Sequence, residues 1–140
     1  MRMMGLDVGS KTIGIALSDP LGWTAQGLMT LKRKNLTADI HALQELAARY
    51  EVTAIVVGLP RNMNGSLGAM AAEVKSFAAK LEAALGLPVH FYDERLTTVA
   101  ADRILLEADL SRRRRRAVVD QVAAGIILQG YLDRQGQNRV

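Results

Sequence analysis

Two short apolar runs, Met3 to Val8 and Ile13 to Leu17, are separated only by a turn-like stretch around Gly9-Ser10-Lys11. Runs of that length across a short Gly-containing connection read as a β-hairpin. This opening constrains the rest, because later strands must join a sheet whose first pair is antiparallel. Pro20, Gly22 and Gly27 punctuate the next stretch, and Gly27 to Leu31 supplies a third, edge strand. The period then changes. Over Thr37 to Tyr50 the apolar residues Ile40, Leu43, Leu46 and Ala47 fall on one helical face, with Thr37 as N-cap.

Thr53 to Val57 is a continuous apolar run rich in β-branched residues, followed by Gly58-Leu59-Pro60, as in a buried parallel strand. A polar loop, Arg61 to Gly68, leads to a helix from about Ala69 to Leu85, stopped by Gly86 and Pro88. Val89 to Tyr92 is a further strand, closed by Asp93-Glu94-Arg95. Thr97 and Thr98 cap a helix to about Ala108, and a last helix runs from about Ala117 to Arg134. The order β-β-β-α-β-α-β-α-α predicts an α/β domain with a mixed sheet and helices on its faces. With 140 residues and no linker or repeat, the chain is read as one domain, 1–140, with a mobile tail from about 135.

Zero Cys excludes disulfides, thiol catalysis and Cys-ligated metal, and His41 and His90 are too isolated for a His-rich site. No apolar run suits a signal peptide or reaches the roughly 18 residues of a membrane span, so a cytoplasmic protein is expected. The net charge of +4 is local: without the five arginines Arg112 to Arg116, 13 basic residues face 14 acidic ones. Adjacent guanidinium groups repel one another. The run reads either as a solvated loop or as a surface for a polyanion, where phosphates relieve the repulsion and release counterions.

Three carboxylates stand in unexpected places. Asp7 lies inside an apolar strand, where Asp is disfavoured, unless it opens an Asx turn. Glu94 follows a buried-looking strand; its plain alternative is a favourable place at a helix N-terminus. Asp120 shares a helical face with Ala123, Ala124, Ile127 and Tyr131, so it heads an apolar stripe, unless its helix turn is exposed. Crossover topology brings the C-terminal ends of the parallel strands to one sheet edge, where ligands of open α/β sheets bind. Carboxylates gathered there would repel unless a cation lay between them. An oxygen-only set suits Mg²⁺ or Mn²⁺, and two ions about 4 Å apart would serve phosphodiester cleavage.

The stretches that carry these residues resemble a known family. Gly5-Leu6-Asp7-Val8-Gly9-Ser10-Lys11-Thr12-Ile13-Gly14-Ile15-Ala16 with Ser18-Asp19 is similar to the opening motif of the YqgF (RuvX) family of the ribonuclease H-like superfamily. The similarity continues through Val57 to Ser66, Tyr92 to Thr98, Asp120 to Ala124 and Ile127 to Leu132. It implies a five-stranded ribonuclease H-like sheet and a metal-dependent nuclease maturing the 5′ end of pre-16S ribosomal RNA, or a Holliday junction resolvase. The family's acidic triad falls on Asp7, Glu94 and Asp120. Thr12 stands where the family usually has Arg and Asn64 where it often has Asp; both bear on substrate contacts, and neither removes a proposed ligand. Asp19, Asp93 and Asp102 are weak candidates for a fourth acid.

Lys11, Arg61, Asn62, Asn64 and Arg95, with Arg112, Arg113, Arg114, Arg115 and Arg116, are the candidate nucleic-acid contacts; each is also an ordinary turn, pairing or surface residue. His90 is read as structural. Aromatic residues are only 4% of the chain, which favours recognition of backbone and shape over base stacking. Structured RNA is the favoured partner. Branched DNA remains open and would call for a homodimer rather than a monomer. An actin-like ATP-binding protein is disfavoured because one domain cannot clamp nucleotide and no Walker loop is present. A non-catalytic RNA-binding factor is disfavoured by the presence of all three acids.

Overall fold

The computed structural model describes residues 2–60, 68–94 and 112–137. The hairpin is formed by β1 (Arg2–Val8) and β2 (Thr12–Ser18), and β3 (Ala25–Lys32) extends it antiparallel. Helix α1 (Leu36–Arg49) crosses to β4 (Val52–Leu59), and α2 (Ala69–Leu85) crosses to β5 (Val89–Asp93). Both crossovers return parallel strands, giving the order β3-β2-β1-β4-β5. The last helix, α3, spans Arg112–Gln137. The expected mixed five-stranded sheet with helices on both faces is therefore the observed one.

Element ends follow from local chemistry. The N-cap of α1 is Asn35, not Thr37: the Asn35 side chain accepts from the Ala38 N–H at 2.8 Å, three residues on, and Thr37 lies within the first turn. Gly86 ends α2 at φ 68° and donates its N–H to the Glu82 carbonyl, as the expected stop requires. Helix α3 is longer than its apolar stripe suggests. The arginines 112–116 are its first turns rather than a loop before it, and it continues past position 135 to Gln137. The helix expected over 97–108 lies outside the described residues. No described helix is long and apolar enough to cross a membrane.

Strand parity divides the interior. On one face Met4, Leu6, Ile13, Ile15, Ile55 and Val57 pack beneath α1 and α2, against Leu43, Val74, Phe77 and Leu81. On the other, Ala16, Val56 and Tyr92 pack beneath α3, against Ala123, Ala124, Ile127, Leu128 and Leu132. The stripe running from Asp120 along α3 is thus the helix's packing seam, as its spacing predicts. Asp7 alternates with Leu6 and Val8, so it faces α3.

Candidate active site at one edge of the sheet

Asp7 is nearly fully buried near the end of β1, facing α3. Its partner across the hairpin is Gly14 on β2. On the other side, the β1–β4 register pairs Leu6 with Val57, so Asp7 and Gly58 are the next residues along the two strands. Asp7 therefore projects from a floor with no side chain on either flank.

The other two acids stand over those glycines. A Cβ at Gly14 would collide with the Asp120 backbone carbonyl and stand 3.1 Å from the Asp120 Cβ. The helix thus lies on the strand at closer range than any side chain would permit. A Cβ at Gly58 would meet Ile127 Cδ1 at 2.5 Å and Glu94 Oε1 at 2.9 Å. Glu94, just past β5, turns its carboxylate back over β4. A glycine inside a buried strand marks close approach of another group, so Gly58 within its β-branched run was a legible signal of this site.

The three carboxylates share one face and one edge. They do not close into a single ligand set: among the described residues, no group of three or more His, Cys, Asp or Glu is placed to hold a metal ion. Asp120 and Glu94 lie over strands two spacings apart, about 10 Å, and like charges favour that separation. Asp7 and Glu94 both have interaction partners in the structure. Asp120 is held by Thr12, whose hydroxyl donates to Oδ2 at 2.6 Å. Position 12 thus engages an acid of the site. The donor set nevertheless fits a hard cation: three carboxylates on one face, with the floor beside Asp7 kept clear by Gly14 and Gly58.

The hairpin turn that joins these strands is gripped from β3. Arg33 donates its backbone N–H to the Lys11 carbonyl at 2.9 Å and its Nη1 to the Gly9 carbonyl at 2.8 Å. Its guanidinium also pairs with buried Asp39 at 3.2 Å and lies over the Phe77 ring. Lys11 is exposed on the turn so held. Sequence reading missed Arg33 and Asp39, because nothing local ties them to residues 9 and 11.

Arg61, Asn62, Asn64 and Arg95 lie outside the described residues. Arg112 to Arg116 begin α3, from eight to four residues before Asp120. At about 1.5 Å per residue the run lies roughly 6 to 12 Å before the acid along the helix axis. Positive charge at a helix N-terminus opposes the helix dipole, so the run gives α3 no electrostatic stabilisation.

The candidate fourth acids fare differently. Asp19 lies at the opposite sheet edge, where its carboxylate accepts from Trp23 N–H at 2.7 Å and Thr24 N–H at 2.8 Å. Those bonds, Thr24's above all, hold its pKa below the ordinary aspartate value; Asp19 serves its own turn and not this site. Asp93 pairs with Leu59 and, by alternation with Tyr92, faces away from α3. Asp102 lies outside the described residues. His90 stacks on Tyr131, ring centroids 5.6 Å apart, and burial raises the Tyr131 pKa.

A family model described as Holliday junction resolvase, RuvX, matches residues 1–134. A protein of Moorella thermoacetica is 74% identical over 140 residues, covering all of both chains. One from Syntrophomonas wolfei is 57% identical over 133 residues, covering 95% of this chain and 94% of its own. Both carry the name "Putative pre-16S rRNA nuclease". Among solved structures, Thermus thermophilus RuvC in complex with a Holliday junction substrate aligns at a TM-score of 0.60 and 18% identity, covering 97% of this chain and 96% of its own. The fowlpox virus Holliday junction resolvase aligns at 0.55 and 12%, covering 96% and 99%. At such identities the two structures speak for the fold alone.

Proposed function

We propose that this chain, which belongs to the RuvX family, is a divalent-metal-dependent nuclease acting in the cytoplasm on the 5′ end of pre-16S ribosomal RNA. Asp7, Glu94 and Asp120 would hold the metal, Mg²⁺ or Mn²⁺, as two ions. Bound there, such ions activate an attacking water and stabilise the leaving oxygen of a phosphodiester. The observation that carries the reading is the floor of the site: Asp7 lies between Gly14 and Gly58, and Asp120 and Glu94 pack over those glycines. Full-length similarity to relatives named as pre-16S rRNA nucleases supports the RNA substrate.

Around the acids, cationic and amide groups would hold the nucleic acid by its backbone. Lys11 stands on the turn beyond Asp7, and Arg112 to Arg116 precede Asp120 on α3. Arg61, Asn62, Asn64 and Arg95 complete the proposed contacts. The exposed Trp23 lies at the far edge with Asp19, so it offers this site no stacking platform. Recognition by phosphate and shape suits a structured RNA.

The family's description supports a second reading: the same acids cutting a four-way DNA junction, which needs paired incisions and a symmetric dimer. A side-by-side assay decides. Pre-16S fragments, single-stranded DNA and four-way junctions are offered with Mg²⁺ and Mn²⁺ to wild type and Asp7→Asn. Metal-dependent cleavage of the RNA by wild type alone, with binding retained in Asp7→Asn, is the expected result. Full activity in Asp7→Asn overturns the site, and paired incision of the junction by a dimer replaces the substrate.

A further inference from the structure

The hydrogen bond from Thr12 to Asp120 joins residues 108 positions apart and is the shortest of the side-chain bonds described above, at 2.6 Å. A hydroxyl bound to a carboxylate at that distance is charge-assisted and about twice as strong as a neutral bond. Both ends are fixed by other means. Thr12 opens β2, where its carbonyl accepts the Gly9 N–H and its backbone pairs with Lys32 on β3. As a β-branched residue, threonine is stiff about χ1. Asp120 is fixed through the helix backbone, which rests on Gly14 two residues further along the same strand face.

A carboxylate on a helix has two oxygens and two rotatable bonds. With Oδ2 engaged by Thr12, the group cannot spin freely, and Oδ1 is the atom left for a cation. Ligands to metals owe much of their affinity to such outer hydrogen bonds, which hold the donor in one orientation before the ion arrives. We propose that Thr12 is a positioning residue for the metal: its hydroxyl orients Asp120 as a one-oxygen ligand. The inference rests on the reading of Asp120 as a metal ligand given above.

The test is direct titration of Mn²⁺ by calorimetry, without nucleic acid, on the full chain and on Thr12→Val, Thr12→Ser and Asp120→Asn. Each variant's metal-free melting is recorded, and Thr12→Ala replaces Thr12→Val if the latter does not fold. Loss of the hydroxyl is expected to weaken Mn²⁺ binding roughly ten- to a hundredfold, with Thr12→Ser close to wild type. Raising Mn²⁺ by the same factor should restore cleavage to Thr12→Val and not to Asp120→Asn. If Thr12→Val binds Mn²⁺ as wild type does while Asp120→Asn does not, the positioning role is overturned and the ligand reading stands. If Thr12→Ser is as weak as Thr12→Val, the methyl contact matters and the hydrogen bond does not, which also overturns it. Unchanged binding in Asp120→Asn overturns both.

Discussion

The face of the sheet beneath α1 and α2 is made of Met, Leu, Ile and Val side chains, whereas the face beneath α3 alternates Gly5, Asp7, Gly14, Ala16 and Gly58 with few large groups. Large apolar residues hold a helix away from a sheet by their own bulk and bury much surface in doing so. Small ones let the helix descend until backbone meets strand, as Asp120 does at Gly14. That descent brings an acid carried by a helix level with an acid carried by a strand. Since side chains alternate along a strand, one sequence serves both ends: even positions of β1 stabilise the domain, and odd positions carry the proposed site.

This division can be broken by experiment. Leu81 is fully buried on the α1–α2 side, and Leu81→Ala should remove about 2–5 kcal/mol of stability, read by urea unfolding. Cleavage per folded molecule should not change; a fall would mean that the two faces are coupled. On the α3 side the opposite pattern is expected. Asp7→Asn should lower cleavage by roughly a hundred- to a thousandfold while the protein still folds and binds nucleic acid. Between them lies Gly14→Ala, whose new Cβ meets backbone and not a flexible side chain. It should cost about 1–3 kcal/mol by overpacking and weaken cleavage as α3 lifts away. Gly58→Ala meets side-chain atoms of Ile127 and Glu94 and no backbone, so its loss of stability should be smaller. Equal losses at the two glycines would show that helix approach is not what Gly14 provides.

The apolar runs made the sheet legible, because hairpin and crossover strands follow from run length and glycine placement. Asp7, Glu94 and Asp120 were legible as acids out of place, and crossover topology pointed to a common sheet edge. What local patterns could not carry was contact between distant residues. Nothing near Thr12 announces Asp120, and nothing near Arg33 announces Gly9. The start of α3 was also illegible: arginine is a good helix former, yet a run of like charge reads as a solvated loop unless tertiary packing continues the helix through it. The cap of α1 lies two positions before Thr37: Asn35 and Thr37 are both good caps, and only the backbone shows which one the amide donors reach.

The smallest expected effect lies at the edge of the sheet farthest from Asp7. There Asp19 accepts three backbone N–H bonds, from Leu21, Trp23 and Thr24, and closes the turn that carries Gly22 at φ 75°. Folding lowers its pKa, with the Thr24 bond as the largest cause. The ionised form is therefore the one the turn favours. Its contribution is complete above the unfolded aspartate value of about 3.9 and is lost as pH falls through the lower, folded value. Asp19→Asn should melt below wild type at neutral pH, and the gap should close on acidification past that window. Other carboxylates titrate in the same range, so the quantity to follow is the difference between the two proteins at each pH. Cleavage at neutral pH should be unchanged, because the turn and the proposed site lie at opposite ends of β2. A gap that widened in acid would mean that the neutral carboxyl, and not the ion, fits the three amide donors.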